Sequence, residues 1–525
     1  MIKNRIVGTM AVLALLQGAN SCSLDEEFEG NPRPDQLPQG EASALLSGVY
    51  NSLRDPIQGC VNVYALEEVS TDEVIMPTRG PDWDDNGKWR ALYLHSWDPN
   101  NERVRETFTA LNRAVYASTD ILQFNPTVQQ AAEARMLRAW AMFWELDLYN
   151  QVLYRDPGEK ATKPARVRVG TEALTYIISE ITAIRADLPD GPAGRANKDA
   201  ARALLMKCYL NKGAYANRKS PTFDVADMNQ VVRLADEIIA TNRYSFTANY
   251  FDNFAPNNSA IGRENIFTQE NTYGNAGPVR DYWKFVSHYN LIPVNGYNGP
   301  ATTAETYDRY EAADKRRGVA YRDATASTTN SANPGNRINV GYLAGQQYSL
   351  RDDAVLKDRA GANLIFTKDI NLFETGRDLE VKGIRPLKYP VDYASEEKGG
   401  NGAENDHVSF RLADVLLMKA EAIMRGGTAT STGPYGATAL ALVNYIRTHP
   451  SRGASALPSL SLDVLLDERG RELYNEQWRR QDLIRFGKFL LPRKDKPQSP
   501  DKCLLYPIPS TQVSVNPLLT QNPGY

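Results

Sequence analysis

The 525-residue chain carries 60 Lys and Arg against 63 Asp and Glu, a net charge of −3, with 42% hydrophobic and 23% charged residues. Such proportions exclude a wholly disordered chain, and the length allows three to four domain equivalents at roughly 150 residues each. Near-neutrality excludes broad affinity for phosphate backbones, so nucleic acid is not an expected partner.

The chain begins with an address. Lys3 and Arg5 precede the apolar stretch Ile6 to Leu16, followed by Gly18-Ala19-Asn20-Ser21 and then Cys22. This is the form of a secretory signal over residues 1–21, too short to span a bilayer. A Cys after small residues at the cleavage point resembles a bacterial lipobox, with Ala19 where Leu is usual, and Cys22 is read as the lipid anchor. The alternative is plain cleavage beside an incidental Cys. No later apolar run reaches 18 residues, so no membrane-spanning helix is expected. Residues 22–40, with Asp25, Glu26, Glu27 and Glu29 ahead of Pro32, Pro34 and Pro38, read as a flexible tether. Cys60, Cys208 and Cys503 are widely spaced without a CxxC, so buried free thiols are expected rather than a zinc or redox site.

From Glu41 the periodicity is helical, with Ala44, Leu45, Val49 and Leu53 on one face. Further helices are predicted over Arg103 to Gln123, Gln129 to Tyr149, Thr171 to Leu188, Lys198 to Asn211 and Val225 to Thr241, with Pro126 and Pro189 as stops. Paired helices of this length suggest an irregular array with tetratricopeptide-like faces but no strict 34-residue period; the alternative is a non-repeating bundle. Residues 243–406 are dominated by turn residues, with short strands predicted at Ile338 to Leu343 and Asn363 to Phe366. Helices resume over Phe410 to Arg425, Ala437 to Thr448 and Leu462 to Trp478, before a Pro-rich extended tail from Tyr506. The expected organisation is one compound domain over 41–525. Its helical repeats occupy about 41–242 and 407–490, and its loop-rich insert about 243–406.

Enzyme signatures are absent. The four His residues form no H-E-x-x-H, and there is no G-x-S-x-G, P-loop or G-x-G-x-x-G. Neither a catalytic site nor a cofactor is expected. Asp82, Asp84, Asn86 and Gly87 imitate a calcium loop, but Tyr93 stands where the bidentate Glu belongs, so no metal site is expected.

Two aromatic clusters stand outside the helical pattern. Trp83, beside Asp82 in Arg79-Gly80-Pro81-Asp82-Trp83-Asp84-Asp85-Asn86-Gly87, is a poor core element and a candidate for stacking on a ligand, the alternative being a loop buried under the helices. Trp89, Tyr93 and Trp97 recur every four residues and read as packing. The second cluster holds six of the 27 Tyr between Tyr273 and Tyr310 and pairs aromatics with amides on turns. Candidate ligand-binding residues there are Trp283, Tyr289, Asn290, Tyr297 and Asn298; the competing reading is packing beneath loops.

Three motifs near the end carry a family resemblance. Phe410-Arg411-Leu412-Ala413-Asp414-Val415 through Ala422, Glu468-Arg469-Gly470-Arg471-Glu472-Leu473 through Gly487, and Tyr506-Pro507-Ile508-Pro509 through Asn522-Pro523-Gly524-Tyr525 resemble the ordered signatures of the SusD/RagB family, with Gly470 where a second Arg is commoner. With the lipobox and helix pairs, the resemblance covers almost the whole chain. It implies a mostly α, SusD-like fold in which tetratricopeptide-like helix pairs support a loop-rich ligand-binding region. It also implies a non-enzymatic outer-membrane lipoprotein, lipid-anchored and facing outward. Such a protein captures oligosaccharides or polysaccharides for a SusC-like TonB-dependent transporter; the alternative is a RagB-like protein capturing peptides for import. The family's binding residues vary with ligand, so none is carried over. Glu468, Arg471, Glu472 and Arg479 are expected to be structural. A tetratricopeptide-like scaffold that docks only proteins is a third reading.

Overall fold

The computed structural model describes residues 39–525 except 161, 292, 323–336, 351, 400 and 401. The signal, the Cys22 anchor and nearly all of the tether lie outside the described residues. Helices of ten or more residues are α1 (Gln39–Ser52), α2 (Glu102–Asp120), α3 (Val128–Tyr149), α4 (Gly170–Ile184), α5 (Lys198–Ala216), α6 (Val225–Ala240), α7 (Leu412–Met424), α8 (Ala439–Thr448) and α9 (Leu462–Leu473). Local chemistry starts most of them. Asn101, Asn197 and Asp224 accept hydrogen bonds from the first-turn amides of α2, α5 and α6. Thr127 and Gln130 form a capping box on α3.

Each helix from α2 to α8 packs on the one before it, so α7 docks on α6 although 171 residues separate them in sequence. This is a helical-repeat array interrupted by one long excursion, and the fold is mostly α as its sequence predicts. α3, flanked by α2 and α4, buries Trp140, Phe143 and Trp144 almost completely. The excursion leaves through strand β1 (Asn265–Gln269) and returns through β2 (His407–Arg411), which pair antiparallel from Asn265↔Arg411 to Gln269↔His407. The helix predicted from Phe410 therefore starts at Leu412, because Phe410 and Arg411 belong to β2. Other strands are short. Val340–Leu343 and Ile365–Phe366 fall inside the two predicted strand segments, while the hairpin of Gln151–Tyr154 with Arg166–Val169 was not anticipated. The helix predicted to reach Trp478 stops at Leu473; Asn475 and Gln477 adopt positive φ (55° and 67°), and a new helix spans Arg479–Arg485.

The charged motif between Glu468 and Arg485 lies inside the protein. Glu472 gathers Arg316, Arg411 and Arg452 at 2.9, 2.6 and 2.5 Å, all four fully buried. Arg485 spans Glu421 of α7 and Asp482 at 2.7 and 2.6 Å. Arg471 does pair with Glu468 one turn away at 2.8 Å, but most partners come from other elements. A buried pair adds little over an apolar one, yet losing one partner costs about 3–5 kcal/mol. The motif therefore fixes how array and insert meet. Residues 505–525 run back along the first helices: the Tyr506 amide donates to Leu148 O at 2.9 Å, Asn522 Nδ2 to Tyr149 O at 2.9 Å, and Trp97 Nε1 to Tyr525 Oη at 2.6 Å. Cys60, Cys208 and Cys503 are buried free thiols.

Candidate functional site

The two aromatic segments flagged in the sequence, some 200 residues apart, meet on one surface. Trp83 Nε1 donates to Tyr297 O at 2.7 Å, and Tyr289 Oη donates to Asp82 at 2.8 Å. Phe285 bridges them, 5.4 Å from the Trp83 ring and 5.8 Å from that of Tyr297. Trp83 has φ 63°, a left-handed conformation that disfavours bulky side chains, and Asp85 and Asn86 follow at 42° and 53°. Holding Trp83 there costs about 1–3 kcal/mol, and such strain collects at functional positions. The ring lies flat against Gly299, where a Cβ would stand 2.3 Å from Trp83 Cζ2. Close approach of ring to backbone is why glycine occupies that position.

Two buried guanidiniums hold the loops beneath this surface. Arg79 donates to Asn298 O and Gly299 O at 2.5 and 2.7 Å, and to Lys382 O at 3.1 Å. Arg385 donates to Asn298 Oδ1 at 2.7 Å and to Glu380 O at 2.9 Å. Among the described residues neither has a carboxylate partner; each neutralises carbonyl oxygens that its loops would otherwise leave unsatisfied. Burial pulls both below the usual arginine range, Arg79 to about 10.

Asp82, Tyr289 and Asn290 are engaged by a neighbouring hairpin. Arg359 donates to Asp82 at 2.9 Å, pairs with Glu380, and lies over the Tyr289 ring at 4.2 Å. Asn290 Nδ2 donates to Lys357 O at 2.8 Å. His288 meets Glu380 at 2.8 Å and accepts from the Asn290 amide; burial lowers its pKa despite that carboxylate, which keeps the imidazole neutral. Burial works against ionising Glu380, but hydrogen bonds from Arg359 and His288 outweigh it and lower its pKa. Burial and Asp82 together raise that of Tyr289.

Two expected binding residues are corrected. Trp283 is fully buried, its Nε1 donating to Glu396 at 3.3 Å, because a short helix (Asp281–Lys284) turns it into the core. Asn298 is also fully buried and serves Arg385 and the Glu380 carbonyl. Neither has a face to offer a ligand. Trp89, Tyr93 and Trp97 are buried, as their spacing predicts. The open groups are the ring of Tyr297, 46% exposed, the partly open Trp83, and the amides of Asn86 and Asn295. Sequence reasoning missed Phe373, 56% exposed on a two-residue strand paired with Thr78–Arg79; Arg90 covers one side of it at 4.6 Å and pairs with Asp84 at 2.7 Å. It also missed the exposed Arg359 and the buried Arg385, which no local pattern distinguishes from the other arginines of the chain. Asp82 and Asp84 are directed to Arg359 and Arg90 rather than toward a common centre.

The surface thus offers apolar ring faces edged by amide, guanidinium and carboxylate groups. That combination suits a ligand with flat C–H faces and many hydroxyls. The family model of the SusD family matches residues 234–525. The starch-binding protein SusD of Bacteroides thetaiotaomicron is 24% identical over 95% of this chain and 89% of its own length. SusD-like protein P2 of Formosa agariphila is 22% identical over 84% of this chain and 82% of its own length. Among solved structures, a SusD superfamily protein from Parabacteroides distasonis superposes with a TM-score of 0.70 at 17% identity, over 93% of this chain and 100% of its own. A laminarin-binding SusD-like protein superposes with a TM-score of 0.67 at 18% identity, over 93% and 99%.

Proposed function

This chain belongs to the SusD family, and from that premise we propose that it is a cell-surface, lipid-anchored protein that captures oligosaccharides and passes them to a SusC-like TonB-dependent transporter. Cys22 is the anchor. Trp83 and Tyr297 supply the stacking faces, and Asp82, Tyr289 and Asn290 order the surface around them. The protein binds and releases its ligand without chemistry.

One observation carries the reading: a tryptophan strained into a left-handed conformation, its N–H fixed to the Tyr297 carbonyl, with the Tyr297 ring open to solvent beside it. A packing role alone gives no reason to hold a large ring at that φ on the surface. The names of its relatives, a starch-binding protein and a laminarin-binding one, point to the same ligand chemistry.

Affinity electrophoresis through gels containing single polysaccharides tests this, with a mixed-peptide binding assay in parallel. Retardation by one glycan class is expected, weakened on the order of tenfold in Trp83→Ala and in Tyr297→Ala, as about 1.4 kcal/mol of stacking predicts. Full retention of binding in both variants refutes the site. Binding to peptides alone refutes the ligand class.

A further inference from the structure

A cleft of about 350 Å³ opens on the flank of the array, between α2, the loop of residues 162–165 and the short helix Ser510–Val515. Small-ligand sites run from roughly 300 to 1,000 Å³. The floor is apolar: Val115 and Leu519 are buried and Leu153 is half-buried. Two of the walls are tied together, because Asn516 Nδ2 donates to Ala165 O at 2.9 Å while Asn516 Oδ1 accepts from the Leu518 amide at 3.0 Å. The polar groups around this floor are open. Tyr116 is 43% exposed. Asn112 Nδ2 donates to Phe108 O at 2.8 Å, which leaves Oδ1 open to water. The half-buried Gln512 has no side-chain partner among the described residues, and neither atom of its amide is shielded from solvent. Asn112, Val115 and Tyr116 stand three and four residues apart, so α2 presents amide and ring beside a buried valine. Among the described residues no carboxylate lines the cleft, so a cationic ligand finds no counter-charge.

An open phenol ring beside an apolar floor, with amides on two walls, repeats the chemistry of the Trp83 surface. A sugar can lay its C–H face on the ring and offer hydroxyls to Asn112 and Gln512. Val515 and Leu518 extend the uncovered apolar area at the rim, and contiguous area of this kind marks binding surfaces. α2 also relates the two sites. Its first residue, Glu102, pairs at 3.2 Å with Lys88, the neighbour of Trp89, whose ring is 5.9 Å from that of Trp83. Tyr116 follows 14 residues later. That is about 21 Å along the axis at 1.5 Å per residue, and within about 40° of the same side at 100° per residue. Both ends of this path are open to solvent. A polysaccharide can run along it from one site to the other; a trisaccharide is too short.

We propose that this cleft is a second glycan subsite, which engages another stretch of the polysaccharide held at the Trp83 surface. The proposal rests on the glycan-capture reading and narrows it: the ligand is a polymer long enough to occupy both places. Two weak attachments on one chain bind far more tightly than either alone, because the second forms at high effective concentration.

The full chain in detergent is run through gels containing starch, laminarin, xylan or polygalacturonate, and the trisaccharide of the repeat that retards it is titrated by calorimetry. Tyr116→Ala and Gln512→Ala alter two different walls, and neither residue is buried, so thermal unfolding should match the parent. Each variant is expected to weaken retardation by the polysaccharide about tenfold through loss of the second attachment, with the affinity of the trisaccharide for the Trp83 surface unchanged. Retardation equal to the parent's in Tyr116→Ala overturns the second subsite and leaves the Trp83 site standing. A tenfold loss of trisaccharide affinity in that variant also overturns it, since Tyr116 would then act on the Trp83 surface itself. If no polysaccharide retards the parent, the capture reading falls and this proposal falls with it.

Discussion

Gly299→Ala tests whether the aromatic surface works by position rather than by mere presence. Every aromatic ring remains, and Gly299 does not need a left-handed backbone, so alanine is conformationally acceptable there. The new Cβ would meet three atoms of the Trp83 ring at 2.3, 2.7 and 2.8 Å, where ordinary contact begins at 3.4 Å. The ring must therefore retreat by about 1 Å, beyond the reach of its 2.7 Å hydrogen bond to Tyr297 O. Locally this costs about 1–3 kcal/mol of overpacking, with about 1 kcal/mol more for the lost bond. For the ligand, a sugar covering about 50 Å² of ring face contributes about 1.3 kcal/mol at roughly 25 cal/mol per Å², which is about tenfold in affinity. Affinity electrophoresis of the parent, Gly299→Ala, Trp83→Ala and the double variant completes the cycle. Both single variants are expected to lose about tenfold, and the double variant no more than Trp83→Ala alone, since the glycine acts only through the ring. A Gly299→Ala protein that binds as tightly as the parent refutes the reasoning. So does a double variant that loses the two effects additively.

Trp283→Ala is expected to lower stability by about 3–5 kcal/mol through the cavity it leaves, while folded protein binds glycan as the parent does; urea unfolding beside gel retardation separates the two effects. Buried guanidiniums draw the Glu421 and Glu468 carboxyls down to about 2, against burial that opposes it. A depressed folded-state pKa means that their contribution is complete above pH about 4.5 and fades as pH falls toward 2, so the urea midpoint should drop steeply across that window; a flat midpoint there contradicts the buried network. Cys22→Ala is expected to leave the protein in the soluble fraction when no partner transporter is present, because it removes the thiol that carries the proposed lipid. Persistence of that variant in membranes, measured by fractionation, rules out a Cys22 anchor.

Much of the array was legible because its signals are local. The Asn101, Thr127, Asn197 and Asp224 caps and the stops at Pro126 and Pro189 set boundaries that differ from prediction by only a few residues. Where the outcome depended on a distant partner, the sequence misled. Phe410 and Arg411 continue the helical period of Leu412–Met424, yet pairing with β1 draws them into a strand. Trp283 and Tyr297 look alike as aromatics among turn residues, and only tertiary packing buries one and exposes the other. Trp83 was recognisable because Gly, Pro and acidic neighbours make a poor core segment. Phe373 has no such context, and Arg359 reaches Asp82 from 277 residues away.

The run of residues 505–525 along the first helices has a consequence for how the molecule is made. Tyr506 and Asn522 close hydrogen bonds to Leu148 and Tyr149, and Trp97 waits for the hydroxyl of Tyr525. These early helices are thus finished by contacts from residues as many as 428 positions later. Closing such long loops is slow, and it leaves the early helices with an unfilled seam while the rest is still being produced. The same seam makes this end a poor place for a fusion or a short deletion.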